Sequence, residues 1–252
     1  MPLSEVRVYK LGGPALEDPG LLPPLAADLR AMGGRAVVVH GGGRHVERLL
    51  RALDIESKFV DGRRATSPAA MEVVEMVLSG VVNKTLAAGL TAAGLPAIGL
   101  SGRDAGLISA TLQTELGRVG SPRRVDAAPL RALWEAGLLP VVSPVSSGPA
   151  GEAVNVNADE TALALALALH ARSLVYLSDV DGVRAEAETL ESLTATDAAR
   201  LMDAGVITGG MAMKVRVALE AVEAGIAEVT VAGRARLTGG FRGTRVLAGA
   251  AR

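Results

Sequence analysis

The stretch Ala36-Val-Val-Val-His40-Gly-Gly-Gly-Arg44-His45 decides the fold class of this chain. Its first four residues form a continuous apolar run, which is typical of a strand buried on both faces of a parallel sheet. Three glycines follow that strand, and residues 45–53 have the apolar spacing of a helix. A strand, a Gly-rich turn and a helix in this order predict a unit of an α/β protein with a parallel sheet.

The same alternation continues along the chain in both directions. Upstream, the pattern predicts a strand at 6–11 that ends at Gly12-Gly13, and a helix at 21–32 that Gly33-Gly34 stops. Downstream, it predicts an extended segment at 55–60 and strands at 95–100, 139–143, 174–177, 229–232 and 244–247. Helices are predicted at 67–93, where Ser67 is the N-cap and Pro68 the first helical residue, and at 129–136, 197–204 and 211–225.

Three segments have weaker patterns. Residues 103–124 predict loops and short hairpin strands, and Ser146-Ser-Gly-Pro149 predicts a flexible loop. Residues 162–169 alternate Ala and Leu, a period that favours a strand. Both residue types are strong helix formers, however, and Asp159 and Glu160 precede the run, so we expect a helix buried on most sides.

Composition excludes several classes of protein. The 252 residues include no cysteine, which excludes disulfide scaffolds, thiolate metal sites and thiol nucleophiles. With a net charge of −1, the chain lacks the excess of basic residues that is typical of a nucleic-acid-binding protein. The first residues carry charges, unlike a signal peptide, and the longest unbroken apolar run, 162–169, is too short to span a membrane. We therefore expect a soluble cytoplasmic protein that binds neither nucleic acid nor membrane.

Lysine is rare in this chain, and its placement suggests a function. Only four lysines occur, and two of them, Lys10 and Lys214, stand beside glycine pairs. Gly-rich turns before helices let backbone N–H groups approach an anion, and the helix dipole adds to the attraction. Three such turns occur, at Gly12-Gly13, Gly41-Gly42-Gly43 and Gly209-Gly210, although the P-loop and dinucleotide-binding fingerprints are both missing. The turns predict a phosphate-binding protein outside those two classes.

A series of motifs in this chain resembles the amino acid kinase family. These motifs are Lys10-Leu-Gly-Gly13, His40-Gly-Gly-Gly43, Asp61-Gly-Arg-Arg64-Ala-Thr66, Val82-Asn-Lys84, Gly99-Leu-Ser-Gly102, Asn155-Val-Asn-Ala-Asp159, Leu177-Ser-Asp-Val-Asp-Gly182, Ile207-Thr-Gly-Gly-Met-Ala-Met-Lys214 and Gly243-Thr-Arg245. They run in the family's order through nearly the whole chain. The resemblance is to the bacterial members that phosphorylate N-acetyl-L-glutamate, in their short, arginine-insensitive form.

The resemblance implies a fold and a reaction. The fold is a three-layer αβα sandwich with a mainly parallel, roughly eight-stranded sheet, as in carbamate kinase-like proteins. Residues 1–150 would bind the acyl amino acid and dimerise, and residues 151–252 would bind ATP. The reaction is transfer of a phosphoryl group from ATP to the γ-carboxylate of N-acetyl-L-glutamate, an early step of arginine biosynthesis. Two alternatives stay open: a kinase for carrier-bound α-aminoadipate, and a non-catalytic metabolite sensor on the same fold.

The resemblance also implies roles for individual residues. Lys10 and Lys214 match the two lysines that stabilise the transition state, and Asp159 matches the carboxylate that orients them. Asp159 could instead, or also, serve as the N-cap of a helix. Arg64 matches the residue that binds the α-carboxylate, with Arg63 as its competitor, and Asn155 would hydrogen-bond the substrate. The glycines that match phosphate-binding and substrate-binding positions are Gly12, Gly13, Gly42 and Gly43. The residues that match the nucleotide-binding loops are Asp179, Val180, Asp181, Gly182, Val183, Arg184, Val206, Ile207, Thr208, Gly209, Gly210 and Met211.

The chemistry needs few further groups. A carboxylate is already an anionic nucleophile at pH 7, so no general base is expected, and His40 and His45 are not expected to be catalytic. The resemblance implies Mg²⁺ carried by the ATP phosphates and water, without a metal cage from the protein. The chain starts close to its first strand, and the resemblance then implies no inhibition by arginine. We expect a homodimer around the apolar helix at 67–93.

Overall fold

The computed structural model describes residues 6–18, 20–31, 35–60, 62–185, 188–233, 237 and 243–249. The predicted helix stop at Gly33-Gly34 and the first residue of the Asp61 motif lie outside the described residues. The predicted elements appear in the predicted order, and most of their ends agree with the prediction within about three residues. The short strands at 63–65, 153–156, 184–185, 188–189 and 192–193 were not predicted.

Strands and helices alternate along most of the described chain. The strands are β1 (Arg7–Leu11), β2 (Ala36–His40), β3 (Lys58–Val60), β4 (Arg63–Ala65), β5 (Ala97–Ser101), β6 (Ile108–Leu112), β7 (Val119–Val125), β8 (Leu139–Ser143), β9 (Val145–Ser147), β10 (Ala153–Val156), β11 (Ser173–Leu177), β12 (Arg184–Ala185), β13 (Glu188–Thr189), β14 (Ser192–Leu193), β15 (Glu228–Ala232) and β16 (Thr244–Val246). The helices are α1 (Gly13–Leu16), α2 (Leu22–Ala31), α3 (Gly43–Ala52), α4 (Pro68–Glu75), α5 (Asn83–Ala92), α6 (Ala128–Glu135), α7 (Ala158–Ala168), α8 (Ala195–Asp203) and α9 (Gly209–Glu223).

The main sheet confirms the expected fold class. Eight described strands pair in the order β14-β16-β15-β11-β1-β2-β8-β5. All neighbours are parallel except β15 and β16, which are antiparallel. Strand β1 lies between the main-sheet strands that precede residue 150 and those that follow it. Ligands of open α/β sheets bind at the carboxyl ends of strands where the order reverses in this way, so the end of β1 is the place to expect a site.

Helices cover both faces of the sheet, and alternation along the strands decides which residues they meet. On β1, Val8 belongs to the core on the face of α6, α7, α8 and α9. Tyr9 and Leu11 point the opposite way, into the core formed with α2 and α5. Because side chains alternate with a period of two, Lys10 shares the face of Val8. This three-layer arrangement therefore turns Lys10 toward α7 and α9.

The predicted flexible loop at Ser146-Ser-Gly-Pro149 is wrong for its first residues. Ser146 is fully buried and belongs to β9, which pairs with β10 and β6. Strands β10, β7, β6 and β9 close into a small barrel beside the main sheet. A strand of three residues is too short to show a period, so the polar residues dominated the prediction.

The long predicted helix contains an irregular centre. Ser67 accepts a hydrogen bond from the backbone N–H of Ala70, so it is the predicted N-cap of α4. Between α4 and α5 the backbone forms a π-helical segment, Met76–Val82. By length and composition alone, the helix at 68–92 could span a membrane, because an 18-residue window within it has a mean hydropathy of 1.4. Half of that window is buried inside the protein, however. The segment packs as a core helix against α3 and the small barrel.

Candidate active site

Three buried charged side chains meet at the carboxyl end of β1. Lys10 Nζ lies 2.8 Å from Asp159 Oδ1. Lys214 Nζ lies 3.1 Å from the same oxygen and 3.4 Å from Oδ2. The three residues, which we call the charged trio, come from β1, from the first turn of α7 and from α9, and each is 7% exposed. The structure thus brings together the three residues predicted to be catalytic.

The trio consists of two cations and one anion, so this buried cluster has a net positive charge. Burial alone would raise the pKa of Asp159, but the charges and hydrogen bonds of Lys10 and Lys214 outweigh it and hold this pKa below its usual value. Burial, aided by the charge of Lys10, lowers the pKa of Lys214 to about 8. Lys214 also lies over the ring of Tyr176, 5.4 Å from its centroid. An anionic ligand would relieve the repulsion between the two ammonium groups.

Helix α7 is positioned by its own cap. The side chain of Asn157 accepts hydrogen bonds from the backbone N–H groups of Asp159 and Glu160. Asp159 is therefore not the N-cap, and its carboxylate is left for the lysines. The prediction that Asn157 organises the loop agrees with this contact.

Two of the three Gly-rich turns adjoin the trio at the ends of neighbouring strands. The N–H of Gly12 donates to the carbonyl of Leu177, and the N–H of Gly41 donates to the carbonyl of Leu11. At Gly13 and Gly43, an added Cβ would meet no other atom of the described protein within 4 Å. Packing within the chain does not require glycine there, and the missing side chains leave the backbone accessible. The third turn, at Gly209-Gly210, joins two helices, α8 and α9, and no strand precedes it directly.

A cavity of about 180 Å³ opens beside these turns. Its lining includes all four residues predicted to bind the acceptor substrate: Gly42, Gly43, Arg64 and Asn155. Thr66 ties the last two together, because its hydroxyl donates to the carbonyl of Arg64 and accepts from Asn155 Nδ2. Asn155 comes from the second half of the chain, just past the predicted division near residue 150.

Arg64 is held from several sides. Its guanidinium donates to Glu47 Oε2 at 2.6 Å, to the hydroxyl of Ser57 and to the carbonyl of Gly43 at 3.3 Å. Phe59 covers it, with 4.5 Å between the guanidinium carbon and the ring centroid. None of these partners was predicted. The motif identifies the arginine, but Glu47 lies on α3 and only the fold brings it close.

The neighbouring Arg63 has a different role. It also lines the cavity, and it forms an ion pair with Glu160, which follows Asp159 on α7. Burial raises the pKa of Glu160, against the lowering effect of Arg63. The pair joins the hairpin β3–β4 to the helix that carries Asp159. Of the two arginines, Arg64 is the more deeply buried, at 7% exposure.

The predicted nucleotide-binding residues form two segments on the other side of β1. Residues 179–184 follow β11, and residues 206–211 lead into α9. The side chains of Asp179, Asp181 and Thr208 are exposed. Val183 and Ile207 are buried in the main core, so any contact they make with a ligand would be through the backbone.

His40 is fully buried under the Gly-rich turn. Its Nδ1 lies 2.8 Å from the carbonyl oxygen of Gly41, and its Nε2 lies 3.0 Å from Asn83 Nδ2. Burial lowers the pKa of His40 to about 4. A buried neutral imidazole bonded at both nitrogens agrees with the prediction that it transfers no proton to substrate.

The chain is similar to known proteins over most of its length. The amino acid kinase family matches residues 5–233. The acetylglutamate kinase of Ruegeria sp. (strain TM1040) is 45% identical, over 90% of this chain and 81% of its own length. The acetylglutamate kinase of Rubrobacter xylanophilus is 43% identical, over 95% of this chain and 94% of its own.

Solved structures agree with the fold. The crystal structure of smu.665 from Streptococcus mutans UA159 superimposes with a TM-score of 0.88 and 27% identity. The match covers 96% of this chain and 98% of that one. Similarity of this extent leaves no large region of the described fold without a counterpart.

Proposed function

The chain belongs to the amino acid kinase family, and we propose on this premise that it phosphorylates the γ-carboxylate of N-acetyl-L-glutamate. ATP supplies the phosphoryl group, and the products are N-acetyl-L-glutamyl 5-phosphate and ADP. The enzyme would act in the cytoplasm, in arginine biosynthesis. The observation that carries the proposal is the charged trio, with its excess positive charge, next to a cavity lined by Arg64 and Asn155.

The chemical problem of this reaction is to bring a carboxylate against a polyanionic phosphate. Lys10 and Lys214 would neutralise the charge on the transferring group and on the leaving oxygens. Asp159 would keep both ammonium groups in place without a change of protonation. The N–H groups of Gly13, Gly42 and Gly43 would donate to the phosphoryl oxygens. The N–H of Gly12, which the resemblance assigns the same role, already donates to the carbonyl of Leu177 and would shape the turn instead.

The acceptor would lie in the cavity with its α-carboxylate on Arg64. A guanidinium fork binds a carboxylate through two parallel hydrogen bonds. Glu47, Ser57 and Phe59 already hold that fork, so the entropy cost of ordering it is met on folding. Asn155 would hydrogen-bond the acylamino group. The γ-carboxylate would then lie at the glycines, beside the trio.

The nucleotide would lie across residues 179–184 and 206–211. Gly210 supports this placement, since an added Cβ there would meet no other described atom within 4 Å. The described residues contain no cluster of three His, Asp or Glu side chains that would hold a metal ion. Mg²⁺ would be bound through the phosphates of ATP, where it would screen the negative charge that the incoming carboxylate meets.

We also propose that the protein is a homodimer, formed around the helix at 68–92 and the edge strand β5. Met76, Val81 and Ile98 are 55%, 59% and 40% exposed, although they are large apolar residues. Met76 and Val81 lie in the π-helical segment, and β5 ends the sheet with one unpaired edge among the described strands. Light scattering should give twice the chain mass, and Val81→Glu should give the monomer.

An assay of ADP release tests the proposed reaction. N-acetylglutamate should be turned over at least ~10²-fold more efficiently than free glutamate, because burying an unpaired ammonium group beside cationic side chains is costly. Hydroxylamine should trap the acyl phosphate as a hydroxamate. Equal turnover of both acids, or activity only with carrier-bound α-aminoadipate, would contradict the proposal. Lys214→Ala, which should abolish most of the signal, is the background control.

A further inference from the structure

A chain of buried hydrogen bonds runs from α5 to the Gly-rich turn after β2. Asn83 is fully buried, and its Nδ2 lies 2.9 Å from the carbonyl oxygen of Val141 and 3.3 Å from that of Leu100. Its Oδ1 accepts from Lys84 Nζ at 3.2 Å. Carbonyls on one side and an ammonium group on the other fix the orientation of this amide, so Nδ2 is the atom that faces His40.

The orientation of Asn83 decides the proton position on His40. An amide nitrogen can only donate, so His40 Nε2, 3.0 Å away, is an acceptor, and it shares the two protons of Asn83 Nδ2 with the carbonyls of Val141 and Leu100. The ring is neutral near pH 7, since burial lowers the pKa of His40 to about 4. The single ring proton is therefore on Nδ1, which donates to the carbonyl of Gly41 at 2.8 Å.

This last bond acts on the peptide that precedes Gly42. Across a trans peptide, the carbonyl of Gly41 and the N–H of Gly42 point in opposite directions. With its carbonyl bound to His40 below the turn, the peptide directs the N–H of Gly42 away from the core. Gly42 lines the acceptor cavity and has a φ of 149°, a backbone conformation that glycine adopts readily and other residues rarely adopt. A peptide between two glycines can rotate at little steric cost, so it needs an anchor to keep this direction.

We propose that His40 and Asn83 are positioning residues for phosphoryl transfer, which keep the N–H of Gly42 directed at the transferring group. The inference rests on the proposed function, because it gives that N–H its target. It explains why two polar side chains are fully buried beneath a turn made of glycine. His40 touches no reacting atom in this role and acts through the Gly41 carbonyl alone.

Two amide variants of His40 separate positioning from mere packing. In His40→Asn, the side-chain amide takes the place of Nδ1 and keeps a donor for the Gly41 carbonyl. In His40→Gln, the amide takes the place of Nε2, which keeps a partner for Asn83 but releases Gly41. We expect His40→Gln to have a kcat at least ~10-fold below that of His40→Asn, with each KM within ~3-fold, since losing one oriented donor costs ~10²-fold or more.

Stability of both variants is measured by thermal unfolding as the matched control. If the two variants lose kcat equally, or only in proportion to a lowered Tm, the residues are structural and the inference is overturned. A second measurement needs no variant of His40. Long-range ¹H–¹⁵N spectra of the unliganded protein report the tautomer of each neutral histidine, and His45→Gln and His170→Gln assign the three signals.

The spectrum should show His40 neutral and protonated at Nδ1 from pH 5 to 8. A proton at Nε2 would overturn the inference, whatever the activity. This readout also separates the inference from the proposed function. A wild-type protein that forms no acyl phosphate from N-acetylglutamate would contradict the proposed function, and the inference with it. An active wild type with the wrong tautomer would contradict the inference alone.

Discussion

The two sides of the site differ in how firmly their side chains are held before any ligand binds. On the acceptor side, Arg64 is buried among Glu47, Ser57 and Phe59, and Thr66 fixes Asn155. On the nucleotide side, Asp179, Asp181, Thr208, Gly209 and Gly210 are all exposed. With the ligands placed as proposed, the chain preorganises its contacts with the small acid and offers the nucleotide mostly backbone groups. The acceptor side should therefore discriminate between small acids, whereas the exposed nucleotide side should let a large ligand bind and leave easily.

The charged trio lies between the two sides and should show the largest effects of substitution. Asp159→Asn and Lys214→Met should each lower kcat by at least ~10²-fold. The first variant removes the carboxylate that holds both ammonium groups in place, and the second removes one of those ammonium groups. Their effects on stability should differ. Asp159→Asn leaves two buried cations without their anion and should cost about 3 kcal/mol or more, whereas Lys214→Met leaves a balanced pair.

Urea unfolding and steady-state kinetics check both effects together. Arg172→Ala is the control, since Arg172 is exposed and paired with Glu228 at the far end of β11. A Lys214→Met protein with normal kcat would remove Lys214 from the mechanism. Equal destabilisation by both variants would contradict the charge balance described for the trio.

Arg64 should show the second largest effect, and only toward one substrate. Arg64→Ala should raise KM for N-acetylglutamate by ~30-fold or more while KM for ATP changes less than ~3-fold, because a bidentate charged contact is worth about 2 kcal/mol. Arg64→Lys should recover little of this loss, since an ammonium group lacks the fork. A rise of both KM values to the same extent would erase the difference between the two sides.

The pH dependence should give a moderate effect that belongs to the trio. The pKa of Lys214 is lowered to about 8, so its cation is lost as the pH rises through this value. We expect kcat/KM to fall above pH ~8, by up to tenfold per pH unit, and to be flat from pH 6.5 to 7.5. In Lys214→Arg, whatever activity remains should show no such fall, because arginine keeps its proton. An identical alkaline limb in both proteins would assign it to another group.

Gly210 should give the smallest effect and the sharpest test of the nucleotide side. A Cβ at this position contacts no other described atom within 4 Å, and the residue lies in the first turn of α9. Gly210→Ala should therefore leave stability unchanged or raise it by up to ~1 kcal/mol, as helix propensity predicts. It should raise KM for ATP several-fold, with KM for the acceptor unchanged. An unaltered KM for ATP would show that the nucleotide does not approach this turn.

Much of the fold could be predicted because its strands are buried on both faces. Continuous apolar runs such as 36–39 leave few other structures open, and the cap at Ser67 needs only local contacts. Residues 162–169 form the predicted helix, so helix propensity outweighed their period of two. Strand β9 was missed because its burial depends on the small barrel, which no local pattern encodes.

The same limit applies to the site. Lys10, Asp159 and Lys214 could be named because they stand beside recognisable glycine and asparagine motifs, and the structure brings them together. Glu47 and Glu160, which hold Arg64 and Arg63, lie on helices with no motif that marks them. The bond from His40 to Asn83 joins two motifs whose contact depends on packing between β2 and α5. Inhibition by arginine stays a prediction.

Because β1 lies in the middle of the sheet, it is synthesised long before one of the strands that it pairs with. The ribosome makes β1 before the other described strands, yet one of its two neighbours, β11, begins at Ser173. Until that strand leaves the exit tunnel, one edge of β1 is unpaired, with strand-forming residues open to wrong partners. Contacts between positions so far apart in sequence also slow folding. The proposed phosphoryl transfer must wait longer still, because Lys214 emerges last of the trio and the nascent chain cannot assemble the three charges before α9 has been made.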